Sequence, residues 1–206
     1  MYDGLLLDVG GVILDPWQAL DAYATATGIP VPGRGPIDPE GDPLWREKLS
    51  GTLTLNGYWD NVARRTGHDS WRSMFQAIMD LVPDELFDND AFSLMQDARA
   101  AGRRVGVLSN DAYAIQSRAF FDARPAFQEL DAFVDASDIG VSKPDPDAYL
   151  VAAEALGLAA ERIVFLDDAE ENVEGARAVG MLGIQVDPGA ATTAFDKARE
   201  LLGLGP

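Results

Sequence analysis

Residues 2–12 read YDGLLLDVGGV, an apolar run that stops at Asp8 and enters a glycine turn. A short β-favouring run bounded by turn residues is the pattern of a buried strand. Its counterpart is residues 163–172, IVFLDDAEEN, where a second such run stops at Asp167 and Asp168. In a parallel α/β sheet the carboxyl ends of neighbouring strands face one crevice, where ligands bind. Asp8, Asp167 and Asp168 are therefore expected to converge although they lie far apart in the chain. Converging carboxylates are costly unless a cation neutralises them, and an all-oxygen donor set suits Mg²⁺.

Two further segments extend the pattern. Residues 104–111, RVGVLSND, form another buried-strand run that ends in Ser109 and Asn110, both small hydrogen-bonding side chains. Residues 140–146, GVSKPDP, put Lys143 in a proline-bracketed turn ahead of a helical stretch. A carboxylate nucleophile, a hydroxyl, a lysine and an acidic pair are the parts of a phosphoryl-transfer site. The lysine and a metal neutralise phosphate oxygens while the nucleophile forms a covalent intermediate.

In this order and spacing the chain resembles the haloacid dehalogenase superfamily, most of whose members are Mg²⁺-dependent phosphatases. Asp8 stands in the first motif, Ser109 in the second, Lys143 in the third, and Asp167 with Asp168 in the fourth. The resemblance implies Asp8, Ser109 and Lys143 as catalytic residues and Ser109, Asn110 and Lys143 as substrate-binding ones. It implies Asp8, the Gly10 carbonyl, Asp167 and Asp168 as metal-binding groups, with Asp167 placed first and Asp168 direct or through water. The family's phosphatases usually carry a second aspartate two residues after the nucleophile, as general acid and base. Here that position is Gly10, which has no proton to give. Loss of a positioned acid typically removes ~10²–10⁴-fold in rate, and some sugar-phosphatase-like branches of the family also have glycine there.

Composition excludes other chemistries. The 206 residues hold no cysteine and one histidine, His68, so zinc–thiolate sites, disulfides and Ser-His-Asp catalysis lack material. The net charge of −18 repels nucleic-acid phosphates and anionic membranes, so neither is an expected partner. A small-molecule phosphate ester is the expected partner, and it too needs local neutralisation. No stretch reads as a signal peptide or reaches membrane length, which gives a cytoplasmic expectation.

Strands are expected at residues 5–7, 105–108, 132–134, 163–166 and 183–186. Helical patterns fall at 91–101, 112–121, 146–156, 171–179 and 193–202. This alternation predicts an α/β fold, a Rossmann-like parallel sheet with helices on both faces. The resemblance adds the strand order, with the first strand central and flanked by the second and fourth. Between the first two strands lie roughly ninety residues with no convincing strand. Residues 17–26, 44–49, 55–65 and 70–81 have helical spacing, and residues 28–43, with five prolines and four glycines, read as a mobile loop. The resemblance makes residues 16–83 a small helical cap that closes over the site and selects substrates, with 1–15 and 84–206 as the core.

Asp15, soon after the first motif, and Asp111, directly after Ser109-Asn110, are candidate replacements for the acid lost at Gly10, but both sit where helix N-caps belong, and neither ranks above a water or a cap residue. Asp145 and Asn172 read as capping or supporting residues. The aromatics Trp17, Trp45, Tyr58, Trp59 and Trp71 read mainly as cap core. The alternatives to a phosphatase are a 2-haloacid dehalogenase, which typically does not keep a pair like Asp167-Asp168, and a low-activity binding or regulatory protein.

Overall fold

The computed structural model describes residues 2–31, 33–81, 87–187 and 190–205. The chain separates into two compact units, Met1–Leu14 with Phe87–Pro206, and Asp15–Leu86. The expected junction at residues 83 and 84 lies outside the described residues.

The discontinuous unit is built on five parallel strands, β1 (Gly4–Leu7), β2 (Arg104–Ser109), β3 (Ala132–Asp135), β4 (Ile163–Asp167) and β5 (Leu182–Gln185). Their order is β3-β2-β1-β4-β5, so β1 is central between β2 and β4. Leu5, Leu6 and Leu7 are wholly buried, as an unbroken apolar run in a sheet covered on both faces must be. Each such leucine contributes about 1.5–3 kcal/mol on burial.

The other unit is helical: α1 (Pro16–Thr27), α2 (Pro43–Leu49), α3 (Leu55–Arg65) and α4 (Trp71–Leu81). The segment expected to be a mobile loop contains a short 3₁₀ turn, Gly35–Ile37, and a buried hub, Asp42. The Asp42 carboxylate caps α2 through the N–H groups of Leu44 and Trp45, and also accepts from Gly35 N–H and the Tyr58 hydroxyl. Trp17, Trp45, Tyr58 and Trp59 pack edge-on or tilted against one another. His68 lies in the turn between α3 and α4, its Nε2 2.9 Å from the Tyr23 hydroxyl.

The remaining helices belong to the sheet unit: α5 (Asn89–Ala100), α6 (Ala112–Ile115), α7 (Arg118–Asp122), α8 (Pro125–Gln128), α9 (Ala136–Ile139), α10 (Pro146–Leu156), α11 (Glu170–Ala178) and α12 (Ala191–Leu202). Tyr149, Ala152 and Leu156 of α10 and Ala176 of α11 pack on Leu6, Leu108 and Phe165 across one face. α5 and α12 pack together and on β2, β4 and β5. The single helix expected over 112–121 is instead two short ones. Gln116 is extended, with φ −138° and ψ 154°, and Ser117 starts the second by accepting Phe120 N–H at 3.3 Å. No helix among the described residues is long and apolar enough to cross a membrane.

Candidate active site

β1 delivers Asp8 to the sheet's carboxyl edge, where its N–H still bonds Leu166 C=O of β4 at 2.9 Å. The chain then turns tightly: Ile13 and Leu14 N–H both return to Val9 C=O, and Gly11 N–H bonds Leu14 C=O. Gly11 takes φ +77°, and a Cβ there would stand 2.6 Å from the Asp168 carboxyl. Only glycine lets this turn pass under Asp168. Gly10 differs: it is exposed, and a Cβ built on it meets nothing within 4 Å.

Lys143 brings the parts together. Its ammonium is buried and lies 2.8 Å from Asp8 Oδ1 and 2.7 Å from Asp167 Oδ2. Burial favours the neutral amine, but Asp8 and Asp167 outweigh it and hold the Lys143 pKa above its ordinary value. Asp8 is pushed up to about 8, by burial first and then by the Asp167 and Asp168 charges, against the pull of Lys143. Asp168 is pushed up to about 7 by burial and by Asp167. One ammonium therefore faces three carboxylates.

Asp167 is wholly buried and fully engaged by protein donors. Its Oδ1 accepts from Ala169 N–H at 2.9 Å and Asn172 Nδ2 at 3.0 Å, and its Oδ2 from Lys143 and, at 3.1 Å, Asn172 Nδ2. Asn172 is held in turn by Tyr149, whose hydroxyl donates to its C=O at 2.7 Å. Gly175, one turn on, lets α11 approach the Lys143 loop, since a Cβ there would lie 2.9 Å from Pro144 O.

Ser109 ends β2, pairing with Asp135 of β3 just past the level of Asp8, and is buried. Its Oγ accepts from Asp111 and Ala112 N–H at 3.2 and 3.0 Å, which leaves its own O–H as a donor. The Asn110 amide is turned to the Lys143 main chain, with Lys143 N–H on Oδ1 at 2.8 Å and Nδ2 on Lys143 C=O at 3.0 Å. Asp15 caps α1 through Trp17 and Gln18 N–H, and Asp145 caps α10 through Asp147 N–H. Asp111 stands at the start of α6.

The structure thus brings Asp8, Lys143, Asp167 and Asp168 into one cluster. Sequence reasoning did not foresee the Asn110 and Tyr149 contacts, because the first joins two loops and the second two helices remote in the chain. A cation fits this cluster on two counts: carboxylate oxygens of Asp8, Asp167 and Asp168 lie within 4.8 Å of one another, and their charge exceeds that of Lys143. Hard oxygen donors select Mg²⁺-like cations over thiophilic ones.

A parallel sheet whose central strand β1 leads into Asp8, joined through a buried lysine to Asp167 at the end of β4, is the arrangement of a class of hydrolases. The family model for haloacid dehalogenase-like hydrolases matches residues 2–180, and the chain belongs to that family. A protein named as a phosphatase in Mycobacterium tuberculosis is 36% identical over 116 residues, 56% of this chain and 53% of the relative. The chain spans about half the length of that relative. The fructose-1-phosphate phosphatase of Escherichia coli is 28% identical over 90% of this chain and 96% of its own length. Among solved structures, a phosphatase of the same family from Thermococcus onnurineus superposes with a TM-score of 0.64 at 18% identity, covering 98% of each chain.

Proposed function

We propose that this chain is a Mg²⁺-dependent phosphatase of small phosphorylated metabolites, sugar phosphates among them, acting through an aspartyl-phosphate on Asp8. The observation that carries this reading is the buried Lys143 ammonium bridging Asp8 and Asp167 beside Asp168. The phosphatases among the relatives support the same chemistry.

The Asp8 carboxylate attacks phosphorus, the bond to the leaving oxygen breaks, and the phosphoryl group is held on Asp8 as an acyl phosphate. Lys143 favours the ionised form of Asp8 against burial and the neighbouring carboxylates, and a bound cation would favour it further. Lys143 donates to a phosphoryl oxygen, and the Ser109 hydroxyl donates to another. Water then attacks the phosphoryl group, releasing orthophosphate and restoring Asp8. Positioning and charge stabilisation supply most of the acceleration in such reactions.

Asp8, Asp168 and the main-chain carbonyl of Gly10 would hold the metal. Asp168 is preferred to Asp167, whose two oxygens already carry four donor contacts. When bound, the cation neutralises the surplus carboxylate charge and shields the nucleophile from the phosphate oxygens. We assign substrate selection to the helical unit Asp15–Leu86, read as the family's cap.

A screen of small phosphorylated metabolites with and without Mg²⁺ tests the reading. Turnover that disappears with chelator and returns with Mg²⁺ is the expected result. No turnover of any phosphate ester, or metal-independent halide release from 2-haloacids, would overturn it.

A further inference from the structure

We propose that Asn110 is a positioning residue whose side-chain amide holds the Lys143 main chain, so that the ammonium reaches Asp8 and Asp167. Its kinetic consequence rests on the phosphatase reading, but its geometry does not.

The amide grips both polar groups of one residue. Lys143 N–H donates to Asn110 Oδ1 at 2.8 Å and Asn110 Nδ2 donates to Lys143 C=O at 3.0 Å. This reciprocal pair does for two loops what a ladder does for two strands. It joins the segment leaving β2 to the segment between α9 and α10, where strand pairing has ended. A lysine ammonium sits on a flexible four-carbon stem, and the stem's reach is set only as well as its backbone is fixed. Here the reach must satisfy two carboxylates at once, at 2.8 and 2.7 Å. On the far side, the Asn172 amide holds both oxygens of Asp167. Each partner of the buried pair is thus fixed by its own neutral amide.

Substrate contact is the rival role for Asn110. One amide N–H remains for it once the two bonds to Lys143 are made. The two roles separate in kinetics. A group acting through Lys143 affects the transition state and lowers kcat, whereas a ground-state contact raises KM. Asn110 is exposed but Lys143 is buried, so water replaces the lost bonds only in part, and a modest loss of thermal stability is expected beside the loss of catalysis.

The test uses Asn110→Ala and Asn110→Asp. Asn110→Asp keeps the acceptor for Lys143 N–H but sets a carboxylate against Lys143 C=O. Crystal structures of both variants are expected to show Lys143 Nζ withdrawn from Asp8 or Asp167. This readout stands whether or not the wild type hydrolyses phosphate esters, and one folded variant suffices. With Mg²⁺ and an aryl phosphate, kcat is expected to fall ~10–100-fold with KM within about threefold of wild type. In a Lys143→Arg background the same Asn110→Ala change is expected to cost less than about threefold, since groups acting through one another are not additive. A lysine that keeps both contacts, a raised KM at unchanged kcat, or a fully additive loss in the double variant would each overturn the proposal.

Discussion

Lys143 answers three carboxylates with one charge, so its loss is the change the site tolerates least. Lys143→Ala is expected to lower kcat by at least ~10²–10³-fold, read by steady-state kinetics at saturating Mg²⁺. A fall of only a few-fold would mean that the ammonium plays no part in the transition state. Gly10 predicts the opposite sign. Its backbone is outside the left-handed region and a Cβ there is unobstructed, so a carboxylate can be accommodated. Gly10→Asp is expected to raise turnover of sugar phosphates, which leave as poor alkoxides, by up to ~10²-fold relative to aryl phosphates. A wild type equally fast on both, and slowed by the substitution, contradicts a proton-transfer deficit. Asp8, Ser109, Lys143 and Asp167-Asp168 were legible because each ends an apolar run or sits in a proline-bracketed turn. The partners of Asn110 and Asn172 were not, since a sequence gives the donor but not the loop that folds against it.

Helix starts were among the most legible elements. Asp-Pro opens α1, α2 and α10, and in all three the aspartate accepts from the first turn's N–H groups. The break between α6 and α7 was hidden, because the apolar spacing of residues 112–121 suits one helix and the Ser117 cap sits within it. At the other end of the sheet, Asp131 fastens the start of β3 to β2, accepting from Val105 N–H at 2.8 Å and Arg104 Nη1 at 2.5 Å. Burial alone would raise its pKa, but the Val105 N–H and Arg104 outweigh it and lower the value. A lowered carboxylate stabilises the fold above its unfolded pKa, near 3.8, and that contribution is lost as pH falls through the lower folded value. Asp131→Asn is expected to cost about 0.5–1 kcal/mol near neutral pH, since solvent screens this exposed pair, with the difference shrinking toward pH 3 in urea titrations. A difference that stays constant with pH would mean the carboxylate charge is not what holds this corner.

The chain carries a net charge of −18, while the chemistry assigned to it needs an anionic substrate. Long-range repulsion is screened by salt within about a Debye length, ~10 Å at 0.1 M. Raising ionic strength at fixed Mg²⁺ is therefore expected to increase kcat/KM, chiefly by lowering KM. A steep decrease would mean that the local positive field of the site governs encounter. The α/β class was legible, because apolar runs alternating with amphipathic ones leave few ways to cover a parallel sheet, whereas the strand order came from the family resemblance and is the order found. Which aromatics of the helical unit could meet a ligand was not legible, because most read as core and the sequence does not single out the exceptions. The nucleophilic role of Asp8 is tested most directly by acid-quenching the enzyme during turnover of a phosphate ester and locating the bound phosphoryl group by peptide mass. The account predicts a phosphoryl adduct on the Asp8 peptide that requires Mg²⁺ and is absent from Asp8→Asn. Undiminished turnover in Asp8→Asn, or an adduct on any other residue, would contradict it.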